Sequence, residues 1–178
     1  AQAREKKTSV TVRGGGTGIT GGAVPMGGIV MSTARLTQAP SLSMDEKGSL
    51  LATAGAAVTL EQLQEAIARR RFDCCDQAAL DRLKEGWIFA VDPTETPATL
   101  GGMFASNAGG LTAMAHGRMA DFVERGGLVL ADGSYQEFSR GQYRWGEEIP
   151  FLKLKEAPIL CPDRKFSQLS PAPGDDLI

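Results

Sequence analysis

The feature that most constrains this chain is a glycine tract near its N-terminus. Residues 13 to 22 read Arg-Gly-Gly-Gly-Thr-Gly-Ile-Thr-Gly-Gly, and they follow directly on the β-branched run at 10–12. Glycine loses more conformational freedom on folding than any other residue, so a tract this dense indicates that the backbone geometry of glycine is needed here. Without a Cβ, successive backbone N–H groups can approach an anion closely. We therefore interpret the tract as a loop for a phosphate-bearing ligand, with a ligand-free glycine turn as the alternative.

Three kinds of phosphate-binding loop can be compared with this tract. A P-loop ends in Gly-Lys-Ser/Thr, and no lysine follows here. The dinucleotide fingerprint Gly-x-Gly-x-x-Gly matches residues 16–21, but it needs a helix to begin at its last glycine. Residues 22–28 contain three glycines and a proline, which oppose a helix. The remaining type binds pyrophosphate through backbone amides and continues into a strand, here predicted at 29–31.

The composition favours a packed domain over several other classes. The 178 residues are 42% hydrophobic, which is enough for one domain or two small lobes. A net charge of -2 gives no electrostatic footprint for nucleic acid, and no apolar run is long enough for a transmembrane segment. No signal peptide is visible, and the polar start just before a strand suggests a piece of a longer protein.

The cysteines and the histidine limit the possible sites. Three cysteines, two of them adjacent as Cys74 and Cys75, do not resemble a disulfide framework and favour a reducing compartment. We expect a cytoplasmic location, with peripheral association with the inner face of the membrane as an alternative. Cys74 and Cys75 are interpreted as buried thiols, with a redox role as the alternative. No metal site is predicted, since no His/Cys cluster has ligand spacing and His116 is the only histidine.

Strands are predicted where short apolar runs are bounded by turn residues. They lie at 10–12, 29–31, 88–91 and within the small apolar stretch 50–57, where the strand is predicted to end at Gly55. A two-residue turn, Asp132-Gly133, joins the runs 126–131 and 135–138 and predicts a hairpin. Beyond Gly141 five prolines interrupt the chain, and we expect extended or mobile segments there, with Ile159-Leu160 docked on the core.

Two helices are predicted between the glycine tract and residue 87. The first covers residues 59–71, because Thr59-x-x-Gln62 forms a capping box and the apolar residues that follow share one face. Its last turn holds three arginines, interpreted as a solvated end that suits the helix dipole. The second covers residues 76–84, where Leu80 and Leu83 are predicted to be buried and Gly86 lies beyond the end.

A second dense stretch runs from Asp92 to Gly110 and reads Asp-Pro-Thr-Glu-Thr-Pro-Ala-Thr-Leu-Gly-Gly-Met-Phe-Ala-Ser-Asn-Ala-Gly-Gly. Most of its residues are small, hydroxylic or amide-bearing, so the backbone can approach a flat polar ligand while short side chains form hydrogen bonds. Thr99 is a candidate cap for a short helix through 103–105, which Gly109-Gly110 would end. A tightly packed turn-helix-turn without a ligand is the alternative.

Together the two stretches, about eighty residues apart, resemble the FAD-binding domain of FAD-linked oxidases of the vanillyl-alcohol oxidase or p-cresol methylhydroxylase type. The chain is most similar to the group of the glycolate oxidase FAD subunit and D-lactate dehydrogenase, over roughly residues 8–140. The resemblance implies an α+β fold whose two lobes hold FAD between them. It places a FAD-binding domain at 1–145, with lobes at about 1–57 and 88–140, and a Pro-rich tail at 146–178.

The resemblance also implies which residues contact FAD. The glycine tract matches the loop around the pyrophosphate, and the second stretch matches segments beside the flavin and after the short helix. The implied cofactor-binding residues are Val12, Arg13, Gly14, Gly15, Gly16, Thr17, Gly18, Asp92, Pro93, Thr94, Glu95, Thr96, Pro97, Ala98, Thr99, Gly102, Ser106, Asn107, Ala108 and Gly109. For Arg13 a structural role is the alternative to a phosphate contact, and for Glu95 the alternative to facing the flavin is capping a turn.

The implied function is that of a flavin-dependent oxidoreductase that oxidises a 2-hydroxy acid of the glycolate or D-lactate type by hydride transfer to FAD. The cofactor carries the chemistry, and no catalytic residue is assigned because the substrate-binding groups of the family lie on a cap domain. The implied partners are the small hydroxy acid and an electron-acceptor subunit, with no nucleic acid. A non-catalytic FAD-binding or electron-relay subunit is the alternative function.

The chain departs from the family pattern in several places. The family has a strand before the part that residue 1 matches. It also has a later Glu-Gly-x-x-Gly segment, and residues 175–178 resemble the sequence that leads into that segment. Residues 72–87 look like an insertion relative to other members of the family, in which the helix leads more directly to the strand before Asp-Pro. His116 stands where relatives usually have an aromatic residue, and some relatives attach FAD covalently through His or Cys; a surface or packed histidine is the default here. Because part of the site is absent, we expect the isolated chain to bind FAD weakly or not at all.

Overall fold

The computed structural model describes residues 2–142, and nearly all of them belong to one compact unit that spans Ala1–Arg140. Short helices and strands follow one another irregularly, which confirms the predicted α+β class. In chain order the elements are α1 (Gln2–Glu5), β1 (Val10–Arg13), β2 (Ile29–Ser32), β3 (Ser41–Met44), β4 (Leu50–Thr53), α2 (Leu60–Ala68), α3 (Gln77–Arg82), α4 (Leu100–Ala105), α5 (Ala113–His116), α6 (Met119–Phe122), β5 (Arg125–Val129) and β6 (Tyr135–Ser139). None of the helices in this range has the length and apolar character needed to cross a bilayer. The predicted tail at 146–178, with its docked Ile159-Leu160, lies outside the described residues.

Within residues 2–142 the strands pair two by two into three small sheets. Strands β1 and β2 are parallel, with Val10 opposite Ile29, so the prediction of a neighbouring strand at 29–31 is confirmed. Strands β5 and β6 form the predicted hairpin around the turn at 132–133. The third pair, β3 and β4, is antiparallel, and β3 was not predicted.

The predicted strand at 50–55 is two residues too long, because β4 ends at Thr53. The backbone beyond it pairs with an irregular segment instead: the N–H of Gly55 donates to the carbonyl of Gln38 at 2.9 Å, and that of Ala57 donates to Leu36 at 2.9 Å. A Cβ on Gly55 would collide with the Leu36 carbonyl, so glycine permits this close approach. The small apolar residues of 54–57 therefore serve a turn rather than a sheet.

The predicted strand at 88–91 is wrong, although the segment ends at the buried Val91. Its main-chain groups are paired by side chains. The amide of Gln64 donates from Nε2 to the Phe89 carbonyl at 2.7 Å and accepts the Phe89 N–H at Oε1, at 3.0 Å. The Thr112 hydroxyl donates to the carbonyl of Ala90 at 2.9 Å. The burial that the apolar run predicts is found only at Val91, since Phe89 and Ala90 are half-buried and Ile88 is 71% exposed. The run also does not reveal that a glutamine replaces the neighbouring strand.

Helix α2 confirms the strongest helix prediction, although it ends at Ala68 rather than at residue 71. Both halves of the capping box are present, with Thr59 and Gln62 bonding each other's main-chain N–H at 3.2 and 3.0 Å. The interpretation of the arginines as a solvated end holds for Arg69, which is exposed and pairs with Glu65. It is wrong for Arg70, whose guanidinium donates to the carbonyls of Leu80 and Leu83 at 2.6 Å each. Arg70 therefore ties the end of α2 to the end of α3.

Helix α3, at Gln77–Arg82, confirms the second helix prediction within two residues. Leu83 is buried as expected, whereas Leu80 is only half-buried. The expectation of buried thiols just before this helix is wrong, because Cys74 and Cys75 are both exposed. The two cysteines come shortly after α2 in sequence and lie on the loop that leads into α3. The sequence alone does not show whether residues of this loop are buried or exposed.

Two groups of buried side chains form the core of the described residues. The first connects α2, α4 and α6 with the segment around residues 91–98, and it consists of Leu60, Val91, Ala98, Met103 and Met119. The second connects β3 with α3, and it consists of Leu42, Ala79 and Leu83. The helix start at Thr99 lies at the edge of the first group, so burial fixes the position of the second sequence stretch.

Candidate functional site

The glycine tract leaves the end of β1 and returns at the start of the parallel strand β2, with no helix between them. This arrangement eliminates the Rossmann alternative, which requires a helix directly after Gly21. The return is fixed at Ile29, whose N–H donates to the Ser9 carbonyl at 2.9 Å, and at Thr33, whose N–H donates to the Arg13 carbonyl at 3.0 Å. The tract is therefore a loop held at both ends by strand pairing.

The main-chain donors of the tract are uncommitted. From Gly14 to Ala23, no backbone N–H forms a hydrogen bond with any of residues 2–142. Two glycines of the loop, Gly16 and Gly21, have positive φ angles of 71° and 79°. Residues with a Cβ rarely adopt such backbone angles. Successive N–H groups without internal acceptors are the kind of donor set that binds phosphate oxygens.

The two dense stretches of the sequence meet in the structure. A Cβ on Gly14 would lie 2.5 Å from Oγ1 of Thr99, and one on Gly15 would lie 2.7 Å from the carbonyl oxygen of Pro97. Real Cβ atoms do not approach other atoms this closely, so only glycine allows the tract to lie against residues 97–99. Residues about eighty positions apart thus form one continuous backbone surface.

The start of α4 is itself built on the start of α2. Thr59 and Thr99 form an antiparallel bridge, in which the N–H of Leu60 donates to Ala98 at 2.9 Å and the N–H of Leu100 donates to Val58 at 2.8 Å. Each threonine also caps its own helix through its hydroxyl, Thr99 accepting from the N–H of Gly102 at 3.3 Å. The predicted cap at Thr99 is therefore confirmed, and the two helices begin side by side with the N–H groups of their first turns already bonded.

Arg13 places a cation over the tract. A Cβ on Gly16 would lie 2.9 Å from Nη2 and 3.1 Å from the central carbon of the Arg13 guanidinium, so this side chain folds back onto the loop that follows it. Arg13 is exposed, and its side chain has no hydrogen bond or ion pair with residues 2–142. A planar guanidinium next to free N–H groups can form paired hydrogen bonds with a phosphate.

The turn at residues 92–98 is held by main-chain contacts. The carbonyl of Glu95 accepts the N–H of Ala98 at 3.0 Å, and the carbonyl of Thr96 accepts the N–H of Glu61 at 3.3 Å. At its start, Gly110 lies so close to the main chain of Asp92 that a Cβ there would collide with the Asp92 carbonyl. Glu95 thus closes the turn through its carbonyl, and its exposed side chain is not needed for that role.

The predicted contacts at residues 106–109 lie at the opposite end of α4 from Thr99, and most of their polar atoms are used within the protein. The Ser106 hydroxyl donates to the Gly102 carbonyl at 2.9 Å, and Oδ1 of Asn107 accepts the N–H of Ala120 at 2.9 Å. The carbonyl of Ala108 accepts the N–H of Met119 at 2.8 Å. Asn107, with a φ of 46°, also ends α4, so the prediction that Gly109-Gly110 ends this helix is wrong by two residues. This turn chiefly fixes α4 against α6.

A shallow groove of about 530 Å³ lies between α2 and the 92–96 segment, and its polar lining includes Glu61, Glu65 and Asp92. Three carboxylates would repel a diphosphate, so the groove is less suitable for that ligand than the tract. Within the described residues, no three His, Cys, Asp or Glu side chains come together in a way that could hold a metal ion. His116, at the end of α5, is exposed.

Sequence reasoning missed three residues that position the site. Thr33 fixes the exit of β1 through both its N–H and its hydroxyl, which donates to Arg13 at 3.3 Å. Gln64 and Thr112 hold the segment that enters Asp92. All three act across at least 20 residues of sequence, so no local motif could have indicated them.

Comparison with known proteins shows the family of this chain. The sequence model of a family described as FAD binding domain matches residues 1–139. A D-lactate dehydrogenase of Archaeoglobus fulgidus is 42% identical over 132 residues, which are 74% of this chain and 26% of that protein. A D-lactate dehydrogenase of Anaerostipes hadrus is 34% identical over 129 residues, or 72% of this chain and 24% of that protein. The chain therefore spans about a quarter of the length of these relatives.

A solved structure supports the fold. The xylooligosaccharide oxidase from Myceliophthora thermophila C1, in complex with xylobiose, matches with a TM-score of 0.54 at 20% identity. The match covers 77% of this chain and 25% of that protein. At this level of identity the likeness concerns the fold alone.

Proposed function

Since this chain belongs to the FAD-binding domain family of flavin-dependent oxidoreductases, we propose that its glycine tract binds the diphosphate of FAD in a dehydrogenase of D-2-hydroxy acids. The observation that carries the proposal is the contact of Gly14 and Gly15 with residues 97–99, beside a run of uncommitted N–H groups. A Cβ at either glycine would collide with residues 97–99 and push the tract away from them, so this arrangement requires glycine.

Each part of the surface has a role in this proposal. The N–H groups of residues 14–18 donate to the diphosphate oxygens, and Arg13 adds a charge-assisted pair from the open side. The bound flavin supplies the hydride-accepting chemistry. Residues 92–99 then form the wall along which the flavin end of the cofactor lies.

The substrate class rests on the relatives. Both relatives named above are D-lactate dehydrogenases. The hydroxy acid and the acceptor of its electrons would be bound by the full-length protein. We therefore expect D-lactate or a similar small D-2-hydroxy acid to donate the hydride, with glycolate as the achiral comparison.

The cofactor site is tested with a matched pair of glycine variants of the full-length protein. A Cβ on Gly18 or on Gly22 meets no atom within 4 Å, so Gly18→Val and Gly22→Val should both fold. Only Gly18 belongs to the predicted diphosphate loop, and a valine there covers the N–H groups. We expect flavin absorbance per polypeptide to fall strongly in Gly18→Val and to stay at the wild-type level in Gly22→Val. Equal flavin content in the two variants would refute the loop assignment.

Gly16→Val gives a second measure of the same site. Because Gly16 has a φ of 71° and lies under the Arg13 guanidinium, valine there distorts the loop and displaces the arginine. We expect no FAD binding by this variant, and its circular dichroism distinguishes loss of the cofactor from loss of the fold. Retention of FAD would contradict the proposal.

The activity is tested by anaerobic titration of the full-length flavoprotein with D-lactate, glycolate and L-lactate. We expect bleaching of the flavin by D-lactate and little bleaching by its enantiomer. A flavin that no hydroxy acid reduces would support a non-catalytic or electron-relay subunit instead, while leaving the cofactor site unaffected.

A further inference from the structure

Two adjacent thiols lie outside the proposed cofactor surface. Cys74 and Cys75 are free and exposed at the entrance to α3. Their main chain is pinned to β3, where the N–H of Leu42 donates to the Cys74 carbonyl at 2.9 Å and the N–H of Asp76 donates to the Leu42 carbonyl at 3.1 Å. Leu42 is only 5% exposed, so this anchor belongs to the core. The pairing uses main-chain atoms alone, and both cysteines remain exposed to solvent.

The spacing of the two cysteines favours a bridging atom over a direct disulfide. None of the described peptide bonds is cis, so the two Cα atoms are about 3.8 Å apart. Disulfides usually join Cα atoms at about 4.4 Å or more, so closing one here strains the backbone. An atom inserted between the sulfurs relaxes that constraint. Thiolate sulfur is a soft donor that selects soft acceptors, and a second sulfur tethered to the first binds the same atom at high effective concentration.

We propose that Cys74 and Cys75 form a chelating site for trivalent arsenicals, as representatives of thiophiles that take two sulfur donors. With an aryl arsenoxide, the two S–H bonds break and two As–S bonds form. The arsenic-bound oxygen leaves as water with both protons, and arsenic stays trivalent. Among the described residues no third His, Cys, Asp or Glu joins the pair into a cluster, which suits a two-donor acceptor better than a zinc ion, which takes four ligands.

The proposal is tested on the full chain, reduced and freed of small thiols, with phenylarsine oxide as the probe. We expect one arsenical per chain by intact mass spectrometry, with two thiols lost in a thiol-reagent titration. The adduct should survive excess glutathione and be removed by dithiothreitol, because only a dithiol competes with a chelate. Cys74→Ser and Cys75→Ser should each weaken binding about a hundredfold, the lower end of the gain from tethering two donors.

Cys161→Ser is the matched control, since it removes the remaining cysteine of the sequence. It should leave the affinity and the resistance to glutathione unchanged. Loss of tight binding in Cys161→Ser, or its retention in either single variant of the pair, would overturn the proposal. Since both serine substitutions replace exposed side chains, the fold should persist, and circular dichroism checks this directly.

Discussion

Gly14 lies directly against Thr99, so closely that a methyl group on the glycine would be 2.5 Å from the threonine hydroxyl. Thr99 is 8% exposed and caps α4, so it cannot move aside without loosening that helix. The contact connects the end of a strand in the first stretch to the start of a helix in the second. The proposed cofactor surface therefore keeps its shape only if residue 14 carries no methyl group.

Gly14→Ala should therefore both destabilise the domain and reduce its flavin content. Overpacking of this kind costs about 1–3 kcal/mol, which lowers the melting temperature by several degrees in a domain of this size. Gly22→Ala, where the added Cβ meets open space, should change stability by less than about 0.5 kcal/mol. Thermal unfolding of the two full-length variants measures the difference, and equal melting temperatures would contradict the packing described here.

The two capping threonines should separate helix stability from cofactor binding. Loss of either hydroxyl removes a cap worth about 0.5–2 kcal/mol, so Thr59→Ala and Thr99→Ala should both lower the free energy of unfolding. Only Thr99 touches the glycine tract, so only Thr99→Ala should also weaken FAD retention. Denaturant unfolding and flavin content, measured in parallel, test this, and Thr99→Ser should restore both quantities.

Gln64 should contribute through both ends of its amide. Gln64→Leu leaves the N–H and the carbonyl of Phe89 without their partners, and each unpaired half-buried group costs about 1–3 kcal/mol. Gln64→Glu retains an acceptor for the N–H but loses the donor for the carbonyl. The free energy of unfolding should thus fall in the order wild type, Gln64→Glu, Gln64→Leu at neutral pH. A glutamate variant less stable than the leucine variant would show that the new charge matters more than the hydrogen bonds.

Asp132 should titrate below its usual range in the hairpin turn. Its carboxylate accepts hydrogen bonds from the Ser134 hydroxyl at 2.7 Å and from the Ser134 N–H at 2.8 Å, and the first of these is the largest cause that lowers the pKa of Asp132 below 3.8. A lowered pKa means that the stabilisation is present above the unfolded value of about 3.9 and is lost as the pH falls through the folded value. Carboxyl chemical shifts in Ser134→Ala should show the pKa rising, and an unchanged midpoint would contradict the assignment.

Features specified by neighbouring residues could be predicted from the sequence. The caps at Thr59 and Thr99 and the Asp132-Gly133 hairpin need only a few adjacent residues, and each is found where it was expected. The glycine tract was also interpretable, because a loop without side chains has few uses other than close approach. The family resemblance implies that Gly14 and Thr99 both contact FAD, but neither it nor any local pattern predicted that the two residues contact each other.

Features that depend on distant partners could not be predicted. Residues 88–91 look like a strand, but Gln64 rather than a strand pairs with them. Arg70 looks like a solvated helix end, but its guanidinium reaches the carbonyls of α3. Cys74 and Cys75 are apolar enough to be buried, yet they lie on an exposed loop. The hydrogen-bond partners of Gln64 and Arg70 lie at least ten residues away in sequence. The two cysteines are instead exposed to solvent.

Helix α4 is six residues long and has glycine at 101 and 102, so it would not form as an isolated peptide. It exists because the N–H groups of Leu100 and Gly101 bond to Val58 and Ala56, on the segment that starts α2. The two helices should therefore melt and re-form as a single cooperative unit, and amide exchange at one should keep pace with exchange at the other. Any loosening near Val58 would therefore pass through the start of α4 to Thr99, and so to the proposed cofactor surface.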